Sequence, residues 1–202
     1  QSFAICGRSV GAVTRHILNP LLNIRYLQDQ FEIKYHRSDH LLVVRRGQKV
    51  NQFYFFGGKD ESSYALIQGM TLAGVMLDEV VLMPRSFVEQ ALARCSVEGS
   101  KFWFNCNPEN PRHWFRMEWL LQLDKHHALH LHFTMDDNPG LSEAMKERYK
   151  TMYSGVFYQR YILGLWVMAE GVVYDMFDTN ENVYRPSDRP VDLHWAGDRS
   201  IA

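Results

Sequence analysis

The stretch that most restricts how this chain can fold is Gly74-Val75-Met76-Leu77-Asp78-Glu79-Val80, a short apolar run that delivers two adjacent carboxylates. A strand buried on both faces of a parallel sheet reads as such a continuous run, and ligands of these sheets sit beyond the strands' carboxyl ends. Asp78 and Glu79 fall there. In a nucleotide hydrolase a strand of this form is a Walker B element: one acid holds the magnesium that bridges the phosphates, and the next polarises the attacking water. The same residues also suit a solvated loop, or an acidic cap for a helix opened by Pro84.

Around this strand the pattern alternates between strands and helices. Ser2 to Cys6 reads as a buried strand, and residues 9 to 27 have helical apolar spacing interrupted at Pro20. Phe31 to Tyr35, Leu41 to Arg45 and Val50 to Phe56 are short runs rich in β-branched and aromatic residues, with a turn at Arg46-Gly47-Gln48. A short helix is expected over Ser62 to Gln68, and another after Pro84, with Phe87, Ala91, Leu92 and Cys95 on one face. Lys101 to Phe104 reads as the next buried strand, and residues 112 to 123 as a helix. His126 to Phe133 alternates Leu129, Leu131 and Phe133 with His130 and His132, the period of a half-buried strand. Two helices are expected between Leu141 and Leu163, and residues 178 to 190 have the polar and proline content of a linker.

A second polar group falls where the first strand reading would want one. Asn105 and Asn107 flank the end of the strand after the acidic pair, separated from it by one crossover. A carboxamide there can donate to phosphate or water and accept from a neighbour, although an ordinary Asn-Pro turn explains the same residues. A phosphate-cradling loop should accompany the pair, yet Gly-x4-Gly-Lys-Ser/Thr occurs nowhere; Gly58-Lys59-Asp60 lacks both the first glycine and the hydroxyl. The expectation is a chain entered midway, with that loop encoded before Gln1.

Other chemistries find less support. The 22 basic and 23 acidic residues leave a net charge of −1, which argues against a general polyanion-binding surface. Three scattered cysteines, Cys6, Cys95 and Cys106, form no disulfide framework, and a reducing compartment fits them. No run approaches the length of a membrane span, and Gln1 to Ser9 has no signal-peptide form. The histidines at 126, 127, 130 and 132 lack a third ligand at a recognisable metal spacing and read as a polar strand face. Arg45, Arg46 and Lys49 fit a solvated hairpin better than a nucleic-acid contact. Gly-x-Ser-x-Gly is absent.

In order, Phe3-Ala4-Ile5-Cys6-Gly7-Arg8, Gly74 to Glu79, Phe104-Asn105-Cys106-Asn107-Pro108 and His113-Trp114 resemble the large terminase subunit of tailed bacteriophages, in the PBSX-like group. Thr134 to Pro139, Tyr158 to Val167 and Glu170 to Tyr174 resemble the end of that family's ATPase domain. The resemblance implies an α/β, additional-strand P-loop NTPase core: a mostly parallel sheet flanked by helices and truncated at the N-terminus. It implies an ATPase domain over residues 1–177, followed at 178–202 by a linker running into the first strand of a ribonuclease-H-like nuclease.

The implied activity is a packaging motor that uses ATP and Mg2+ to drive double-stranded DNA into a procapsid, and a nuclease using divalent metal. Its implied partners are a portal protein, a small terminase subunit and four further copies in a pentamer, in the cytoplasm of a bacterial host and with no membrane. On this resemblance Asp78 is the magnesium-associated acid and Glu79 the catalytic glutamate. Asn105 or Asn107 occupies the coupling motif, with Asn107-Pro108 matching the family's Asn-Pro more directly, and Asp198 is a nuclease metal ligand. Residues 47 to 84 contain no arginine, so no trans-acting arginine finger is assigned. A fragment without the phosphate loop is expected to be inactive alone. A helicase- or recombinase-type ATPase and a non-catalytic prophage remnant with docking surfaces are the alternatives.

Overall fold

Three apolar β-runs and a Gly47 turn with φ +58° set up the outer half of the sheet, where β-branched and aromatic residues favour a pleated surface. A computed structural model describes residues 1–168. Six strands form one mixed sheet: β1 (Ser2–Gly7), β2 (Glu32–His36), β3 (Leu41–Arg46), β4 (Lys49–Gly57), β5 (Gly74–Leu77) and β6 (Lys101–Phe104), in the order β2-β3-β4-β1-β5-β6. Strands β4, β1, β5 and β6 are mutually parallel, and β3 joins β2 and β4 by antiparallel pairing.

Each sheet face has its own core. On one face Ala4, Cys6, Val75 and Leu77 meet Phe87, Val88 and Ala91 of the Arg85–Ala93 helix, together with Phe115. On the other, Ile5, Leu42 and Phe55 pack against Val13 and Leu18 of the helical stretch that follows β1. That stretch runs through Val10–Val13, Thr14–Leu18 and Asn19–Leu22, past Pro20. Proline lacks the N–H that would bond back to His16, and the preceding turn widens so that the Asn19 N–H reaches the Thr14 carbonyl, five residues back. The break expected at Pro20 therefore comes later, at Asn23 and Ile24.

Two other expectations are corrected. Strand β6 is not buried: it pairs only with β5 among the described residues, and Phe102 and Trp103 are 39% and 50% exposed. Apolar content suggested an interior strand, but a sequence does not say how many neighbours a strand has. Residues 126–133 form no half-buried strand: Leu123–His126 is a short helix and the remainder is irregular, with Leu129 82% exposed. Both sides of the alternation are exposed, His130 and His132 as well as Leu129, Leu131 and Phe133. The helix expected over 112–123 is shorter, ending at Leu120 in a wide π turn.

Beyond it come Glu143–Met152, capped by the Ser142 hydroxyl, then Gly155–Phe157 and Tyr158–Ile162. No helix among the described residues is long and apolar enough to cross a membrane. Glu170–Tyr174, the linker at 178–190, Asp198 and the domain boundary at 177/178 lie outside the described residues.

Phe87 is fully buried and presses on Gly58, where a Cβ would fall 2.5 Å from the ring. Phe87→Ala is expected to cost about 3–5 kcal/mol in chemical denaturation, through lost transfer energy plus a cavity the sheet cannot collapse into.

Candidate nucleotide site

Parallel pairing brings four strand ends together, with Gly7 opposite Gly57, Cys6 opposite Leu77, and Leu77 opposite Phe104. The residues just past those ends are Arg8, Gly58, Asp78 and Asn105. Close approach explains the first glycine: a Cβ on Gly7 would lie 2.5 Å from Val13 and 3.8 Å from the Asp78 Cβ.

Asp78 continues the sheet by donating its N–H to the Cys6 carbonyl at 2.8 Å, and the Asn105 N–H reaches the Leu77 carbonyl at 3.2 Å. The Asn105 side chain then does two things at once. Its Nδ2 donates to Asp78 Oδ1 at 2.7 Å, and its Oδ1 accepts the Glu79 N–H at 2.6 Å. The Asn105 carbonyl accepts the Val80 N–H at 3.0 Å. Glu79 itself adopts a left-handed backbone, φ 55° and ψ 51°, which costs an L-residue roughly 1–2 kcal/mol. The turn Val80–Leu82 follows, closed by the Leu82 N–H on the Glu79 carbonyl at 2.9 Å.

The structure thus places Asp78, Glu79 and Asn105 together. Asn107 lies two residues further along, exposed, and its carboxamide reaches neither acid. His113, singled out in the sequence only as part of a motif, lies half-buried with its ring 5.7 Å from Trp114. Its Nδ1 accepts the Phe115 N–H at 3.2 Å. Burial pulls its pKa below the ordinary histidine value, against smaller opposing effects of the Glu109 charge and the Val81 backbone.

Burial pushes the Cys106 thiol up to about 11, away from the lowered range of an activated thiolate. Lys59-Asp60 does not cradle phosphate either: the Asp60 carboxylate caps its own short helix through the Ser62 N–H and the Ser62 and Ser63 hydroxyls. Arg85, the first arginine after the acids, is engaged with Glu89 at 2.6 Å and Glu118 at 2.7 Å.

Among the described residues no three His, Cys, Asp or Glu side chains cluster as a metal cage. One Asp78 oxygen is taken by Asn105, leaving a hard oxygen ligand of the kind Mg2+ uses singly beside nucleotide phosphates. The donor set fits that ion. Neither surface groove, one lined by Leu120–Lys125 and one between Gln28 and Gly47, includes these residues.

A sequence family described as terminase large subunit, T4likevirus-type, N-terminal, matches residues 4–181. The chain belongs to the terminase large-subunit family. The matching type is the T4-like one, whereas the motifs had suggested the PBSX-like group. A large terminase from a thermophilic bacteriophage is 57% identical with a TM-score of 0.79, over 92% of this chain and 47% of that one. In its complex with ADP the figures are 55%, 0.80, 92% and 46%. A complex with ATP-gamma-S gives 54%, 0.76, 92% and 46%.

The ATPase domain of the Thermus phage P74-26 large terminase shares the fold at 13% identity, TM-score 0.54, over 83% of this chain and 77% of that one. No curated protein matches. This terminase chain spans about half the length of the thermophilic-phage protein, and its sheet is the P-loop NTPase-like α/β fold of terminase ATPase domains.

Two outcomes are expected of the terminase turn. Glu79→Gly, which suits a left-handed backbone, should be more stable than Glu79→Ala by about 1 kcal/mol in denaturant titration. Because the His113 pKa is lowered on folding, its contribution is complete above the unfolded value near 6.5 and is lost as pH falls from there through the folded value. Stability should therefore drop more between about pH 7.5 and about pH 5.5 in the wild type than in His113→Gln.

Proposed function

We propose that this chain is the ATPase motor portion of a viral DNA-packaging terminase large subunit, coupling ATP hydrolysis to movement of double-stranded DNA into a procapsid. The observation that carries the reading is the Asn105 carboxamide joined to both Asp78 and Glu79 at the carboxyl ends of adjacent parallel strands. The complexes of the thermophilic-phage terminase with ADP and with ATP-gamma-S support a nucleotide as the ligand.

In this reading Asp78 faces Mg2+, which when bound supplies charge neutralisation on the β- and γ-phosphates. Glu79 orients the attacking water and draws on its proton, and the left-handed backbone sets the direction of its carboxylate. Asn105, already shared between the two acids, registers the γ-phosphate by exchanging one of those bonds for a phosphate oxygen. We assign the coupling role to Asn105 over Asn107 on that geometry.

In this reading the phosphate loop closes a strand that pairs with the edge of β6 left unpaired among the described residues, and that strand covers Trp103. These residues alone are then inactive. Genome cleavage by a divalent-metal nuclease domain, with Asp198 among its ligands, a pentameric assembly on the portal, and docking of a small subunit in the bacterial host cytoplasm complete the proposal.

In the full-length terminase, Glu79→Gln is expected to lower the ATPase kcat by about a hundredfold or more while ATP binding, followed by calorimetry, stays within a few-fold. An unaltered rate would remove Glu79 from the chemistry.

A further inference from the structure

We infer that Arg160 is a positioning residue for Asn105: its guanidinium, acting through Glu109, clamps the segment that presents the Asn105 carboxamide to the phosphate. The inference rests on the role proposed for Asn105. Residues 105–110 follow β6 without helical or sheet structure, so this segment needs an anchor of its own. At its start, the Asn105 N–H meets the Leu77 carbonyl and the Asn105 carbonyl accepts the Val80 N–H. Further along, the His113 N–H reaches the Asn110 carbonyl at 2.9 Å and the Arg112 N–H reaches Asn110 Oδ1 at 2.8 Å. Both of these later bonds are local and shape the segment without fastening it to its surroundings.

The long-range tie is at Glu109. Arg160 Nη1 donates to Glu109 Oε2 at 2.8 Å, across 51 residues of chain. Nε and Nη2 of the same guanidinium donate to the Val167 carbonyl at 3.2 and 2.8 Å. A planar fork held at two nitrogens points its third in a fixed direction, which a flexible ammonium does not. The side chains of Arg160 and Glu109 are 11% and 37% exposed, against 68% and 52% for Lys34 and Glu32, so solvent and salt screen this pair less.

The chain behind Arg160 is closed on itself. The Leu163 N–H reaches the Tyr158 carbonyl at 3.2 Å, and the Leu165 N–H returns to the Gln159 carbonyl at 2.9 Å through Gly164, left-handed at φ +67°. Trp166 of this hook lies 6.5 Å from the His113 ring, centre to centre, a second contact with the same segment. Glu109 follows Asn105 by four residues, a reach of at most about 14 Å, and Pro108 fixes one backbone torsion between them. A shift of Glu109 is therefore passed to Asn105. Asn105 meets only a nucleotide that has a γ-phosphate, so loss of the clamp weakens ATP analogues and spares ADP, whereas general damage weakens both.

The test is calorimetric titration of the full-length terminase with ATP-gamma-S and with ADP, each with magnesium, and with Asn105→Ala as reference. Asn105→Ala is expected to weaken ATP-gamma-S about tenfold with ADP within about twofold, the loss of one hydrogen bond to a charged oxygen. Glu109→Ala should reproduce that selective loss, by about fivefold or more. Glu109→Gln, whose amide oxygen still accepts from Nη1, should stay within about threefold of wild type for both nucleotides. Should Glu109→Ala not fold, Arg160→Gln, which keeps a donor near Val167 but is too short for Glu109, is expected to show the same selective loss.

Wild-type affinity for ATP-gamma-S in Glu109→Ala or Arg160→Gln, with Asn105→Ala selectively impaired, overturns the clamp and leaves the reading of Asn105 standing. Equal weakening of ATP-gamma-S and ADP in either clamp variant also overturns it, as general damage. An Asn105→Ala protein that binds both nucleotides like the wild type overturns the reading and the clamp together.

Discussion

The candidate site depends on one carboxamide. Asn105 holds an acceptor and a donor a fixed distance apart, and the turn needs both: an acceptor for the Glu79 N–H, which has left the sheet, and a donor for the Asp78 carboxylate. An aspartate at 105 would set a second carboxylate against Asp78, and an alanine would leave both groups to water. A neutral bond contributes about 1 kcal/mol net and one to a carboxylate somewhat more, with Asn105's exposure keeping both at the low end. Left-handed backbone at Glu79 costs about 1–2 kcal/mol. The margin is narrow, so a turn held this way can be redirected when a competing phosphate takes one of the bonds.

Much of this was legible in the chain, for identifiable reasons. The acid pair could be placed because a doubly buried parallel strand has no polar alternation, and Val75 and Leu77 are indeed fully buried. The hairpin strands could be read because Gly47 punctuates them at a turn that needs positive φ. Asn105 and Asn107 could not be separated, because both follow the strand and only pairing register decides which one faces Asp78.

The failures share a cause. Lys101 to Phe104 reads as buried from its apolar run and His126 to Phe133 as half-buried from its alternation, yet each has apolar residues in solvent. Periodicity reports which residues could be buried together; it is silent on what is present to bury them. At β6 the outer edge is unpaired among the described residues and Trp103 is half exposed, which is where the proposed nucleotide reading sets the strand of the phosphate loop. Strand β1, by contrast, is covered on both faces, through Ala4 and Cys6 against the Arg85–Ala93 helix and Phe115 and through Ile5 against the Val10–Leu22 stretch.

The central claim is that Asp78, Glu79 and Asn105 form one half of a nucleotide site. It is tested most directly by an experimental structure of the full-length terminase with magnesium and ATP-gamma-S. The account predicts magnesium coordinated by the Asp78 carboxylate directly or through one water, the γ-thiophosphate within hydrogen-bond reach of the Asn105 carboxamide, and a further strand paired with β6. A nucleotide bound elsewhere, with Asp78 and Glu79 facing solvent and Asn105 still joined to both, would contradict it.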